Sequence, residues 1–120
     1  MHEIGIAASI LEAIRSEAAR HRNARPVRAG LRIGELAGVD PEALRFCFGT
    51  LANDTDLAQL KLEIEVCARR HRCSVCRLEF PVSGYDFCCP ACGREATEFV
   101  SGDQLDFAYL EVEEYEPAIA

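Results

Sequence analysis

Four cysteines in two knuckles, Cys73-Ser-Val-Cys76 and Cys89-Pro-Ala-Cys92, constrain this chain more than any other feature. Each pair presents two thiols from one tight turn. The 12 residues between the pairs are enough for a small hairpin to bring the turns face to face. Four thiolates arranged in this way make the closed tetrahedral cage that Zn(2+) prefers. A closed cage has no open coordination position, so the expected metal is structural and the function is sought elsewhere. Cys88 directly precedes Cys89 and permits a second reading, Cys88-x₃-Cys92. The Cys89 spacing is preferred because it mirrors the first pair and because Gly93 allows the left-handed turn that follows a knuckle. Arg77 stands at the matching place after the first knuckle.

An odd count of seven cysteines, their CxxC pairing and the lack of a basic-then-apolar leader argue for metal-bound thiolates in a reducing, cytoplasmic setting. No apolar run is long enough for a membrane span. The net charge of −7 repels a phosphate backbone, so no nucleic-acid partner is expected. The one basic cluster, Arg69-Arg70-His71-Arg72, reads as a solvated linker paired with nearby acids.

Apolar spacing of three and four at Ile4, Ala7, Leu11, Ile14 and Ala18 predicts an amphipathic helix over 4–22, stopped before Pro26. Val27, Ala29, Leu31 and Ile33 alternate with Arg28, Gly30, Arg32 and Gly34, which predicts a strand with one buried face. Gly34 to Gly38 reads as a turn. Asp40-Pro41-Glu42 carries a helix start, with Asp40 as N-cap, and Leu44, Cys47, Phe48 and Leu51 share one face of that helix. A second strand alternates through Leu62, Ile64 and Val66, and a last β-rich segment runs from Leu105 to Tyr115 with a slip near Ala108-Tyr109-Leu110 that suggests a bulge. A two-stranded sheet would leave the third strand unexplained, so the last strand is expected to return to the first two. The expected class is α+β: a small three-stranded sheet with two helices, plus an inserted zinc-ribbon-like module built on four cysteines. The expected division is 1–68 with 104–120 as one domain and 69–103 as the other.

The other end of the chain carries a second metal signal. In Met1-His2-Glu3, the Met1 amine, the deprotonated His2 amide and the His2 imidazole Nδ1 can lie in one plane. The fourth donor could be the Glu3 amide, the Glu3 carboxylate or another side chain. Planar N/O donor sets suit Ni(II) or Cu(II). These donors must lose protons to bind, so affinity should fall as the pH drops. The plainer reading is an exposed His2 and a Glu3 that complements the helix dipole.

Met1-His2-Glu3 opening a helix, Ile33-Gly34-Glu35, Val39-Asp40-Pro41-Glu42-Ala43-Leu44, two CxxC knuckles and a strand ending Leu110-Glu111-Val112-Glu113, in that order, resemble the HypA/HybF nickel metallochaperones of [NiFe]-hydrogenase maturation. The resemblance implies a nickel-binding domain and a zinc-binding domain. It implies nickel at Met1, His2 and Glu3, with Asp40 as a further candidate ligand beside its capping role. It carries the zinc ligands over to Cys73, Cys76, Cys89 and Cys92. Implied partners are a HypB-type GTPase and the hydrogenase large subunit, joined in some organisms by urease maturation factors.

Other thiols and histidines read more plainly. Cys47 and Cys67 are expected to be small core or interface residues. His71 is either solvent-facing or an alternate metal ligand that couples the domains, and His21 faces the dipole at a helix end. Two readings from other classes stay beside the nickel one. A zinc-ribbon interaction module would need a basic or aromatic face, and an iron-thiolate redox protein would be red. An enzyme is not expected, because four cysteines leave zinc no water to activate.

Overall fold

A computed structural model describes residues 2–114. The elements run α1 (Glu3–Ala18), β1 (Ala24–Gly34), α2 (Pro41–Ala52), β2 (Lys61–Cys67), β3 (Arg70–Cys73), β4 (Glu79–Pro81), β5 (Thr97–Ser101) and β6 (Leu105–Glu114). They form two three-stranded sheets, ordered β2-β1-β6 and β4-β3-β5. The class is α+β, with the two helices on the first sheet and a zinc-ribbon-like four-cysteine module carrying the second, inserted between β2 and β6. Tyr115, the expected end of the last strand, lies outside the described residues.

β1 is the central strand of the first sheet. Ala29, Leu31 and Ile33 are buried under the helices. It pairs parallel with β2, from Arg28–Lys61 to Gly34–Cys67. It pairs antiparallel with β6, from Ala24–Glu114 to Ile33–Leu105. Gly30 faces Tyr109 and Leu31 faces Phe107, so Ala108 is the extra residue of a bulge, where the alternation slips. The polar face is laced by Arg25–Glu113, Arg28–Glu63, Arg28–Glu111 and Arg32–Glu65 pairs. Gly30 is bare so that the Tyr109 ring can lie on it, and the Tyr109 hydroxyl donates to Glu63 at 2.8 Å.

Three expectations need correction. The first helix ends at Ala18, four residues short of the predicted 22. Asn23, in the left-handed region at φ 56°, redirects the chain into β1. Pro26 therefore sits inside the strand rather than stopping a helix. It is tolerated there because β2 pairs with β1 only from Arg28 onward, and a register shift separates Pro26 from Arg28. The buried stripe of α1 is also rotated from the expected one: Ile6, Ala7, Ile10 and Ile14 are buried, whereas Ile4 is 48% exposed. Alternation in β2 also fades along the strand, with Leu62 buried and Val66 exposed.

The two sheets meet at a tight junction. The turn after β1 binds both connections to the second sheet: the Glu35 amide donates to Cys67 O at 2.9 Å, and the Leu36 amide to Gly102 O at 2.7 Å. Gly102 lies at φ 130°, and a Cβ on it would meet the Arg69 Cα at 2.6 Å. A Cβ on Gly34 would in turn land on the Gly102 carbonyl. Only glycine fits such an approach of backbone to backbone.

Candidate metal centres

Each knuckle is shaped by its own backbone. The Arg77 amide donates to Cys73 O at 3.1 Å, and the Gly93 amide to Cys89 O at 2.8 Å. Both turns end in a left-handed residue, Arg77 at φ 68° and Gly93 at φ 75°. The first knuckle thus makes the same turn as the second, without a glycine. The β3 and β5 ladder fixes the pair, since the Ser74 amide donates to Ala96 O at 2.9 Å.

The four sulfurs of Cys73, Cys76, Cys89 and Cys92 lie within 4.8 Å of one another. Cys73 to Cys92 and Cys76 to Cys89 are each 3.5 Å apart. Ligands at about 2.3 Å from a central Zn(2+) stand about 3.8 Å from each other, so the cage fits that ion. Cys73 and Cys89 are buried, while Cys76 and Cys92 are exposed.

Titration chemistry agrees with the distances. The Cys76 and Val75 amides pull Cys73 down to about 6. The Cys92 amide, with that of Ala91, lowers Cys89 despite its burial. Cys76 has the Leu78 amide to favour its thiolate, yet is pushed up to about 11 by its bond to Cys89, by burial and by Cys73. The amides favour thiolates, but without a cation some of the four must keep protons. A divalent cation at the centre would let all four ionise.

Cys88 stays outside the cage. It is half-buried, its amide donates to Asp86 Oδ1 at 3.2 Å, and burial raises its thiol. His71 is also apart from the sulfurs. Its ring stacks on Phe87 at 5.3 Å and meets Phe99 edge-on. Thr97 Oγ1 gives its proton to Phe87 O at 2.8 Å and faces His71 Nδ1 at 3.1 Å, so Nδ1 carries the hydrogen of that bond. His71 is therefore a packed aromatic residue rather than the solvent-facing one of the first expectation. The basic cluster is spent internally: Arg70 and Arg72 both pair with Glu79, and the Arg69 guanidinium covers Phe87 at 4.6 Å. His21 lies 3.7 Å from Glu17, one turn back. Cys47 packs at the edge of the main core, and Cys67 is half-buried.

At the other end, His2 is the N-cap of α1 and its side chain makes no capping bond. Its carbonyl takes the Gly5 and Ile6 amides, at 3.1 and 3.3 Å. The imidazole is exposed and uncommitted to the helix. Glu3 Oε2 accepts the Asp40 backbone amide at 3.1 Å. That amide, with the Glu3 amide, holds the Glu3 carboxyl below its usual range. Asp40 Oδ1 caps α2, accepting from Glu42 at 3.0 Å and Ala43 at 3.4 Å. One Asp40 oxygen caps, while Oδ2 accepts no hydrogen bond among the described residues. Met1, the remaining expected donor, lies outside the described residues. No local pattern hinted at the Glu3–Asp40 bond, because it joins residues from two elements that only packing brings together.

A family model described as hydrogenase/urease nickel incorporation, metallochaperone, HypA matches residues 1–112. A hydrogenase maturation factor HypA from Geobacter metallireducens is 42% identical over 113 residues, covering 94% of this chain and all of that one. A second, from Pelodictyon phaeoclathratiforme, is 37% identical over 95% of this chain and 97% of its own length. The solution structure of the Ni metallochaperone HypA from Helicobacter pylori superposes with a TM-score of 0.64 at 20% identity, over 96% of this chain and all of that one, a likeness of fold.

Proposed function

Since the chain belongs to the HypA family of hydrogenase/urease nickel-incorporation metallochaperones, we propose that it binds Ni(II) at its N-terminus and delivers it to [NiFe]-hydrogenase during maturation. Nickel is the cargo. The Met1 amine, the His2 amide and the His2 imidazole would supply three in-plane donors, and Glu3 or Asp40 would supply the fourth. The observation that carries this reading is the Glu3 carboxylate on the Asp40 amide. It holds the start of α1 against the start of α2, which would give a terminal site a fixed wall, with Asp40 Oδ2 free of hydrogen bonds among the described residues.

A site of this kind suits transfer rather than catalysis. Its donors are few and lie at the edge of the fold, so the thiolates of an acceptor can enter along open positions. The expected acceptor is the hydrogenase large subunit, with a HypB-type GTPase as accessory partner, all in the cytoplasm. In this reading residues 1–68 and 104–120 carry nickel, and 69–103 form the zinc domain. Cys73, Cys76, Cys89 and Cys92 would hold Zn(2+), which when bound neutralises the thiolates and ties the two knuckles together.

Nickel titration of untagged, zinc-loaded protein, with His2→Ala alongside, tests the proposal. One nickel per chain with a weak planar d–d band, both lost in the variant at unchanged zinc content, is expected. A variant that holds nickel with undiminished affinity would overturn it.

A further inference from the structure

The outer edge of β6 has no strand beside it among the described residues. An open edge presents unpaired backbone donors and acceptors, and extended segments of other proteins add to such edges. Next to this edge, the helices fail to cover the sheet completely. A cavity of about 560 Å³ runs between α1 and β6, lined by His2, Ile4, Ile10, Leu31, Leu105 and Phe107 among others. Leu105 and Phe107 face the helices, as their partners Ile33 and Leu31 do, yet remain 40% and 37% exposed.

The two faces of β6 differ in a way that specifies an occupant. On the helix face stand Leu105, Phe107 and Leu110, and on the other face Asp106, Tyr109, Glu111 and Glu113. The segment from Asp103 to Glu114 holds five carboxylates and no basic residue. Arg28 and Arg25 answer Glu111 and Glu113 from within the sheet, whereas Asp106 has no ion-pair partner among the described residues. A second copy of β6 laid on this edge would set acids against acids. A strand alternating apolar residues with Lys or Arg would instead fill the groove on one face and meet Asp106 on the other.

We propose that the β6 edge and its groove receive an extended, basic-apolar segment of a partner protein as a fourth strand of the first sheet. Such a strand would run past His2, so its own donor atoms would lie beside the proposed nickel site. Only this use in delivery rests on the terminal-site reading; the docking itself does not.

The test is a titration of ¹⁵N-labelled, nickel-free, zinc-loaded protein with a seven-residue peptide alternating valine and lysine, followed by amide shifts and hydrogen exchange. Protection should appear along 105–110, with shifts at the groove residues of α1. A peptide with alternate backbone N-methyl groups, or with glutamate for lysine, should bind at least about tenfold more weakly. Asp106→Lys, an exposed change, should weaken the lysine peptide several-fold. Equal binding of the N-methyl peptide, or protection at β2 instead, would overturn the proposal. So would concentration-dependent self-association that protects β6 without peptide, because it would assign the edge to a second copy.

Discussion

The Glu3 carboxylate accepts the Asp40 backbone amide at 3.1 Å, across 37 residues of sequence. This bond ties the first turn of α1 to the cap of α2. It turns Glu3 from a dipole-complementing acid into a strut. Glu3→Ala should therefore weaken nickel binding several-fold in calorimetry. Glu3→Gln, whose amide oxygen can still accept the Asp40 N–H, should retain most of the affinity. Equal losses in both would point to the carboxylate as a metal ligand instead.

The same bond sets a pH dependence. Glu3 is held below the usual carboxylate range by the Asp40 amide first and its own amide second. A depressed folded value means the contribution is complete above the unfolded carboxylate range and is lost as the pH falls through the folded one. The Asp40 amide proton should hold its shift as the pH enters the usual carboxylate range and move only below it. Nickel release between neutrality and that range would then belong to protonation of the donors. An Asp40 amide that moves with nickel release near neutrality would contradict this separation.

Asp40 has two roles that substitutions can part. Asp40→Ala removes the acceptor for the Glu42 and Ala43 amides, and should cost about 1 kcal/mol of stability in denaturant unfolding. Asp40→Asn keeps a good N-cap, so its stability should stay near that of the parent. If Oδ2 closes the nickel square, Asn should still lower nickel affinity. Unchanged affinity in a folded Asp40→Asn protein would restrict Asp40 to capping.

The second sheet should depend on metal. Its buried cluster consists of Cys73, Phe80, Val82 and Cys89, with Phe87 packed alongside. Two of those four residues are cage cysteines, so too little apolar surface remains to hold three short strands alone. Chelation should collapse amide dispersion for 70–101 while the signals of the first sheet persist. Cys88→Ser should leave the zinc content at one per chain, and Cys89→Ser should abolish it. Zinc retained in Cys89→Ser and lost in Cys88→Ser would reassign the second knuckle.

Glycines give a paired test of packing. Gly102→Ala would drive a Cβ to 2.6 Å from the Arg69 Cα at φ 130°, and should cost about 1–3 kcal/mol. Gly49→Ala, in α2 with nothing within 4 Å of the added carbon, should stabilise by about 0.5–1 kcal/mol. Thermal unfolding of both variants measures the contrast, and a neutral Gly102→Ala would mean the junction yields.

Local patterns carried much of this fold into the sequence. Alternation from Val27 to Ile33 marked the central strand, Asp40-Pro41 marked a helix start, and the slip at Ala108 marked a bulge. These signals are legible because they depend on one element's own period or cap. The phase of α1 was not legible. Ile4, Ile6, Ala7, Ile10, Leu11 and Ile14 offer more than one apolar stripe, and packing against α2 as well as the sheet selects among them. Beyond Ala18 the amides of Arg20 and His21 bond three residues back, and Asn23 then turns the chain into β1 in a left-handed conformation that its sequence permits without requiring. At the candidate sites, CxxC spacing announced the four-sulfur cluster. The Asp40 amide on Glu3, the Gly34–Gly102 contact and the groove beside β6 arise only from tertiary packing, so no local pattern could announce them.

The most direct test of a terminal nickel site leaves every side chain in place and blocks only the amine. Semisynthetic protein acetylated on Met1 should be compared with the free-amine form in the same nickel titration, by absorbance and calorimetry. Loss of the planar d–d band and at least a roughly tenfold weaker affinity on acetylation, with zinc unchanged, is the predicted result. Acetylated protein that binds nickel as tightly, with the same band, would place the metal elsewhere in the chain.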